Sequence, residues 1–204
     1  MLNTTYIYQN EDSYEETYTD QNTSLVSNYC LTPSSGSIFV YTFKDGMLSA
    51  VSHDLLIKVT DFKINLNMPE GDLTSANFNL EIKSDSLKVI CAMNNGKRQP
   101  ALLKDKDKSD IISFMKNDVL HASKYRLITF KSINIEQKEN DYLVKGELDL
   151  HGTRKNITFK VKSDDSKRFK GTVVLTQTHY GIKPYNALMG ALKVKNIIKI
   201  GFDL

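Results

Sequence analysis

The sequence predicts an all-β protein whose antiparallel strands form a barrel or a sandwich. Phe62 to Met68 alternates apolar and polar residues without interruption, and so does Ala76 to Lys83. Residues 69–72 between these runs are Pro-Glu-Gly-Asp, a turn composition, so the two runs predict a hairpin. Similar runs recur along the chain with short turns between them. They give roughly eight to ten strands, which is typical of a barrel or a sandwich.

One segment has helical rather than strand periodicity. Ile111, Ile112, Met115 and Val119 are spaced to form one apolar face, and Ser109 precedes them as a candidate N-cap. We therefore predict one main helix over residues 109–120. A single amphipathic helix in an all-β chain is expected to cover an open end of the barrel.

The N-terminal segment differs in composition from the rest. Residues 1–34 contain five of the ten tyrosines, five acidic residues and no Lys or Arg, and they lack a sustained apolar period. We interpret them as a flexible tail and residues 35–204 as one folded domain. A plain spacer and a contact segment for a protein partner both remain open for the tail. The segment also lacks the basic start and apolar core of a secretion signal, so we expect a cytoplasmic protein.

Charge and hydropathy restrict the partners. The net charge is +3, and five of the 24 acidic residues lie in the tail, so the rest carries 27 basic and 19 acidic residues. A basic body can attract nucleic acid, but lysines also cover the outer faces of sheets and discourage edge pairing. We favour the second interpretation and expect no nucleic-acid partner. No apolar run approaches the ~18 residues of a membrane-spanning helix. The sequence leaves open whether the chain forms a homodimer.

Catalytic and metal-binding patterns are missing from the sequence. It contains no Gly-x-Ser-x-Gly elbow and no Gly-rich phosphate loop. The four histidines are far apart, and we expect His151 to make a structural hydrogen bond in its turn. Cys30 in the tail and Cys91 in an expected loop are interpreted as two reduced thiols. We therefore expect a protein that is not an enzyme and requires no metal or other cofactor.

Two segments resemble a known family. Asp110 to Ser132 reads DIISFMKNDVLHASKYRLITFKS, and Gly146 to Lys155 reads GELDLHGTRK. In the same order, members of the YceI-like family carry a helix, a Lys-Tyr-Pro strand entry and a Leu-His-Gly hairpin. Here Lys124-Tyr125-Arg126 stands in place of Lys-Tyr-Pro. The resemblance covers about residues 35–204. It implies an eight-stranded antiparallel barrel of lipocalin shape, with a tunnel that holds a polyisoprenoid chain such as a quinone tail.

The expected function is therefore the binding of a long apolar lipid, as in transport or storage. A barrel of about eight strands is wide enough to hold one small ligand. His53 is the candidate for contact with a ligand head group, and Tyr185 and Met189 are expected to border the tunnel mouth. The full set of expected ligand-binding residues is Phe43, His53, Phe78, Leu80, Phe130, Leu148, Phe159, Leu175, Tyr185 and Met189. The alternative is an interaction module with a dry barrel, in which the tail is the contact segment.

Overall fold

The computed structural model describes residues 7–9, 14–17, 26–45, 53–163, 168–187, 189 and 192–204. The strands are β1 Ile7–Gln9, β2 Tyr14–Thr17, β3 Val26–Leu31, β4 Ser37–Thr42, β5 Lys44–Asp45, β6 Asp54–Val59, β7 Phe62–Pro69, β8 Asn77–Lys83, β9 Leu87–Asn94, β10 Lys97–Gln99, β11 Leu127–Lys138, β12 Asp141–Leu150, β13 Thr153–Ser163, β14 Phe169–Thr176, β15 Asn186–Ala187, β16 Leu192–Val194 and β17 Ile197–Asp203. No helix in this described part of the chain is long and apolar enough to cross a membrane.

The main sheet is antiparallel, strongly curled and larger than predicted. Fourteen strands follow the order β1-β2-β3-β7-β8-β11-β12-β13-β14-β17-β4-β6-β9-β10, and a second sheet has the order β15-β16-β5. Among the described residues, no ladder joins the edge strands β1 and β10, so hydrogen bonding does not close the sheet into a barrel. The all-β class is confirmed, but the prediction of a closed eight-stranded barrel is wrong in both number and closure.

Turns bring the two limbs of the curled sheet together at one end. The amide of Thr60 donates to the carbonyl of Ser86 at 2.8 Å, and the amide of Lys83 donates to the carbonyl of Asp61 at 3.3 Å. An ion pair between the Lys83 ammonium and the Asp61 carboxylate, at 2.5 Å, lies beside them and raises the pKa of Lys83. The β6–β7 turn is thus joined to the β8–β9 turn, which holds the curled sheet around its core.

The sheet begins earlier in the chain than residue 35. Strand β3 pairs with β7 from Val26 opposite Pro69 to Leu31 opposite Ile64. Leu31 packs against a cluster of buried apolar residues that includes Ile38, so the end of the expected tail belongs to the folded domain. Residues 1–6, 10–13 and 18–25 lie outside the described part, and flexibility there stays a prediction.

Strand β9 was not predicted because a bulge interrupts its alternation. Leu56 pairs with Cys91 and Ile57 pairs with Val89, so Ile90 is an extra residue in the ladder. Val89 and Cys91, on either side of it, are both buried. The expectation that Cys91 lies in a loop is wrong. The cysteines Cys30 and Cys91 are both free, on β3 and β9.

The helix α1 spans Asp105–Phe114 and continues as a π-helical turn, Met115–Val119. Its start is four residues earlier than predicted, because the carboxylate of Asp107 accepts a hydrogen bond from the amide of Lys104 at 2.9 Å. Asp105 and Asp107 also place negative charge in the first turn, where it stabilises a helix. Short 3₁₀ turns cover Pro100–Leu102 and Gln177–Tyr180.

Candidate functional site: an apolar cavity inside the curled sheet

A cavity of about 770 Å³ lies between the concave face of the sheet and helix α1. Its wall is almost entirely apolar, because period-two alternation points one set of side chains inward from each strand. On β14, for example, Val173 and Leu175 line the cavity, whereas Val174 between them is exposed. Helix α1 and its π turn contribute Ile111, Phe114 and Met115 to the wall.

Eight of the ten residues expected to contact a ligand line this cavity. They are His53, Phe78, Leu80, Phe130, Leu148, Phe159, Leu175 and Tyr185. Phe43 and Met189 are not in the wall. Phe43 is half-buried at the β4–β5 junction, where its carbonyl accepts a hydrogen bond from the amide of Lys195 at 2.8 Å. Met189 has a fully solvent-exposed side chain, at 105% relative exposure, and a positive φ of 53°.

A row of four phenylalanine rings runs along one side of the cavity. The centroids of Phe78 and Phe130 are 5.4 Å apart, those of Phe130 and Phe159 are 5.5 Å apart, and those of Phe159 and Phe202 are 6.1 Å apart. These separations are those of favourable aromatic pairs. The row gives a ligand chain a continuous apolar surface across the middle of the sheet.

Two glycines make room for this row. A Cβ atom at Gly146 would overlap the ring of Phe130, and one at Gly171 would overlap the ring of Phe202. Both glycines lie on strands whose neighbouring inward positions carry apolar side chains. The absence of a side chain at these positions therefore lets the two rings lie against the sheet.

The polar residues of the wall are concentrated at the end near α1. The ring of Phe114 on α1 meets the ring of Tyr185, with centroids 4.8 Å apart. The carbonyl of Tyr185 accepts a hydrogen bond from the amide of Val194 at 3.0 Å, and Val194 lies opposite Lys44 in the small sheet. The amide of Lys44 donates to the carboxylate of Asp54 at 2.8 Å. The polar wall residues at this end are Thr42, Lys44, His53, Asp110, Gln177, Tyr185 and Lys193.

Sequence reasoning missed two wall residues, Gln177 and Phe114, that matter for the polar end of the cavity. Gln177 follows Val173 and Leu175 at the same two-residue spacing, so the inward series of β14 could have revealed it. Of the predicted apolar face of the helix, Ile111, Met115 and Val119 line the cavity, but Phe114 was missed. Ile112 does not line the cavity.

The YceI-like domain model matches residues 29–204. The chain belongs to the YceI-like family. The match begins at residue 29, within strand β3, which agrees with the finding that the end of the expected tail belongs to the sheet.

Several solved structures are similar to this chain at low sequence identity, and the first of them shows the same fold. BcnA from Burkholderia cenocepacia matches with a TM-score of 0.57 and 15% identity, over 81% of this chain and 94% of that one. A polyisoprenoid binding domain from Saccharophagus degradans, implicated in plant cell wall breakdown, has a TM-score of 0.49 and 12% identity, over 83% and 91%. The YceI protein of Campylobacter jejuni has a TM-score of 0.45 and 12% identity, over 72% and 84%. No curated protein matches the sequence significantly.

The Leu-His-Gly hairpin of this YceI-like domain joins three segments beside the cavity. Nδ1 of His151 lies 3.2 Å from the carbonyl of Tyr180, and its Nε2 lies 2.9 Å from Nδ1 of His121. The ring of Tyr125, from the segment that resembles Lys-Tyr-Pro, packs on His151 with centroids 4.1 Å apart. The structural hydrogen bond expected for His151 is confirmed.

Burial is the main cause of a lowered pKa at His151. The hydrogen bond to the Tyr180 carbonyl opposes this shift, whereas positive charge on His121 and Lys124 adds to it. The neighbours of this cluster in sequence, Leu120, Leu150 and Ile182, line the cavity. The histidine pair therefore ties together three segments that form the wall at this end.

Proposed function

We propose that this YceI-like domain binds a long apolar lipid of the polyisoprenoid class in its cavity and acts as a carrier or store for it, without catalysis. The observation that carries the proposal is the apolar cavity of about 770 Å³. That volume lies within the roughly 300–1,000 Å³ typical of small-molecule sites. A dry scaffold has no use for such a space, since voids larger than a water molecule are few in packed interiors and are destabilising.

The shape and chemistry of the wall favour a chain-like ligand. Inward side chains from β4, β8, β11, β13 and β17 all contribute, so the apolar surface is extended rather than confined to one spot. Burial stabilises a bound lipid by about 0.8 kcal/mol for each CH₂ group, before the cost of ordering the chain is subtracted. The polyisoprenoid class follows from the family resemblance of the sequence motifs.

The test is to identify lipid that co-purifies with the protein. The full chain is expressed in an isoprenoid-producing bacterial host, purified without detergent, extracted with organic solvent and analysed by mass spectrometry. We expect one or a few isoprenoid species in the extract of the wild-type protein.

A pair of variants on β13 controls for surface adsorption. Ile157→Trp enlarges an inward, cavity-lining residue, whereas Thr158→Trp enlarges its exposed neighbour. We expect Ile157→Trp to reduce the lipid recovered per folded protein and Thr158→Trp to leave it unchanged. If wild-type protein carries no isoprenoid and takes up none when it is added, the carrier proposal fails.

A further inference from the structure

One buried polar side chain in the cavity wall points to the chemistry of the ligand's head group, if the proposed lipid-binding function holds. Gln177 begins the 3₁₀ turn after β14 and is only 7% exposed. It lines the cavity at the end near α1, together with the other polar wall residues of that end.

The side-chain amide of Gln177 has a fixed orientation. Its Nε2 donates a hydrogen bond to the carbonyl of Lys195 at 2.9 Å, and its backbone amide donates to the carbonyl of Asn196 at 2.8 Å. Because Nε2 is the donor of a carboxamide, Oε1 is left as the acceptor. Across the described ranges, Oε1 accepts no hydrogen bond from the protein. A buried acceptor costs free energy when it is left unpaired, so a ligand that donates a hydrogen bond to this oxygen would bind more tightly.

The charges at this end do not favour an anionic ligand. Lys44 and Lys193 line the wall, but Asp110 lines it too, Asp54 accepts a hydrogen bond from the Lys44 amide, and Asp45 lies opposite Lys193 in the small sheet. Lys195, whose carbonyl accepts the hydrogen bond from Gln177, adds a third lysine, so three lysines and three aspartates leave no excess positive charge. Residues 46–52, 188, 190 and 191, which complete these loops in the sequence, contain no charged side chain.

We infer that the ligand is a long-chain alcohol or phenol whose neutral hydroxyl group donates a hydrogen bond to Oε1 of Gln177. The apolar chain then extends from the α1 end along the phenylalanine row. This orientation places the polar head among the polar wall residues and keeps the chain in the apolar part of the cavity.

The test compares three probes with the same C20 isoprenoid chain: geranylgeraniol, its methyl ether and its monophosphate. Their dissociation constants are measured on the full-length wild-type protein. We expect the alcohol to bind about 2- to 10-fold more tightly than the ether, which is the effect of one neutral hydrogen bond. Without an acceptor in the site, the more apolar ether would bind at least as tightly as the alcohol.

Variants assign this preference to Gln177. Gln177→Met keeps a side chain of similar length without the acceptor, and we expect it to bring the alcohol-to-ether ratio close to one. Leu175→Met, at the preceding inward position, is expected to change both affinities alike and to keep the ratio. If Gln177→Met does not fold, Gln177→Asn provides the second comparison, because its shorter side chain withdraws the carbonyl and should also reduce the ratio.

Several results would overturn the inference. The wild-type protein could bind ether and alcohol equally, the monophosphate could bind more tightly than the alcohol, or the ratio could persist in the folded Gln177 variants. In each of these cases the lipid-binding function stands and the hydroxyl assignment fails. If none of the three probes binds, the proposed function itself fails.

Discussion

The rings of Phe114 and Tyr185 meet edge to face, with an angle of 84° between their planes. Phe114 ends helix α1, and Tyr185 lies in the connection between β14 and the small sheet. Both line the cavity, so this contact joins two separate parts of the wall at the end where the polar residues gather.

We predict that Phe114→Ala releases bound lipid faster than the wild-type protein does. An aromatic pair contributes about 0.5–1.5 kcal/mol beyond its buried area, so the dissociation rate should rise roughly 2- to 10-fold. Stopped-flow competition with an unlabelled lipid measures this rate. Tyr185→Phe retains the ring pair and should keep the slow rate. An unchanged rate in Phe114→Ala would show that the contact does not restrain the ligand.

Gly171 and Gly201 provide a matched pair on neighbouring strands. A Cβ at Gly171 would overlap the Phe202 ring and lie 2.7 Å from the carbonyl oxygen of Lys160, whereas one at Gly201 would lie 3.3 Å from Tyr41. We predict that Gly171→Ala lowers the free energy of unfolding by about 1–3 kcal/mol and that Gly201→Ala has a smaller effect. Urea unfolding compares them, and equal losses would contradict the proposed role of Gly171 in seating Phe202.

His151 makes stability depend on pH. Its pKa in the folded protein lies below the ordinary value of 6.5, so on acidification the unfolded chain binds the proton first. Stability is therefore full above about pH 6.5 and decreases as the pH falls from there towards the folded-state pKa. We predict a lower melting temperature at pH 5.5 than at pH 7.5.

His151→Asn should weaken this dependence, because Asn does not titrate and tolerates the positive φ of 55°. His179→Asn alters an exposed histidine and should retain the wild-type dependence. Parallel pH profiles for the wild-type protein and His151→Asn would contradict the assignment.

The position of β3 predicts that two N-terminal truncations will differ in their effect on stability. Removal of residues 1–25 leaves β3 paired with β7, whereas removal of residues 1–34 deletes the strand and with it Tyr29 and Leu31 from the core. We expect the longer deletion to cost about 2–4 kcal/mol more, the scale for burying two such side chains. Thermal melts of both proteins test this, and equal melting temperatures would mean that β3 adds nothing to stability.

Alternation alone predicted the inward faces of most strands, because one residue in two must face the core. It placed Phe78 and Leu80 correctly in the wall. It failed where the ladder contains an extra residue. Ile133 is 60% exposed because the register shifts between Ser132 and Asn134. Ile90 is likewise an extra residue in the ladder of β9, so the alternation that would predict this strand is interrupted.

Other features depend on contacts that local sequence does not reveal. Strand β3 lies in a polar, tyrosine-rich segment, and only its pairing with β7 places Leu31 in the core. The run from Lys104 to Lys108 has the composition of a solvated loop, yet the Asp107 cap makes it the start of α1. Phe43 and Met189 were expected at the ligand because of their residue type, but neither lies in the cavity wall.

The central claim is that the cavity itself binds one lipid chain, and a titration on three proteins tests it most directly. A fluorescent polyene probe is titrated into the lipid-stripped wild-type protein, Leu80→Trp and Asn79→Trp. Leu80 lines the cavity on β8, and Asn79 is its exposed neighbour. We predict saturable binding of one probe per chain by the wild-type protein and Asn79→Trp. We predict a roughly 5- to 150-fold loss of affinity in Leu80→Trp, as expected for overpacking of about 1–3 kcal/mol. Equal binding by all three folded proteins would place the lipid outside the cavity and contradict the account.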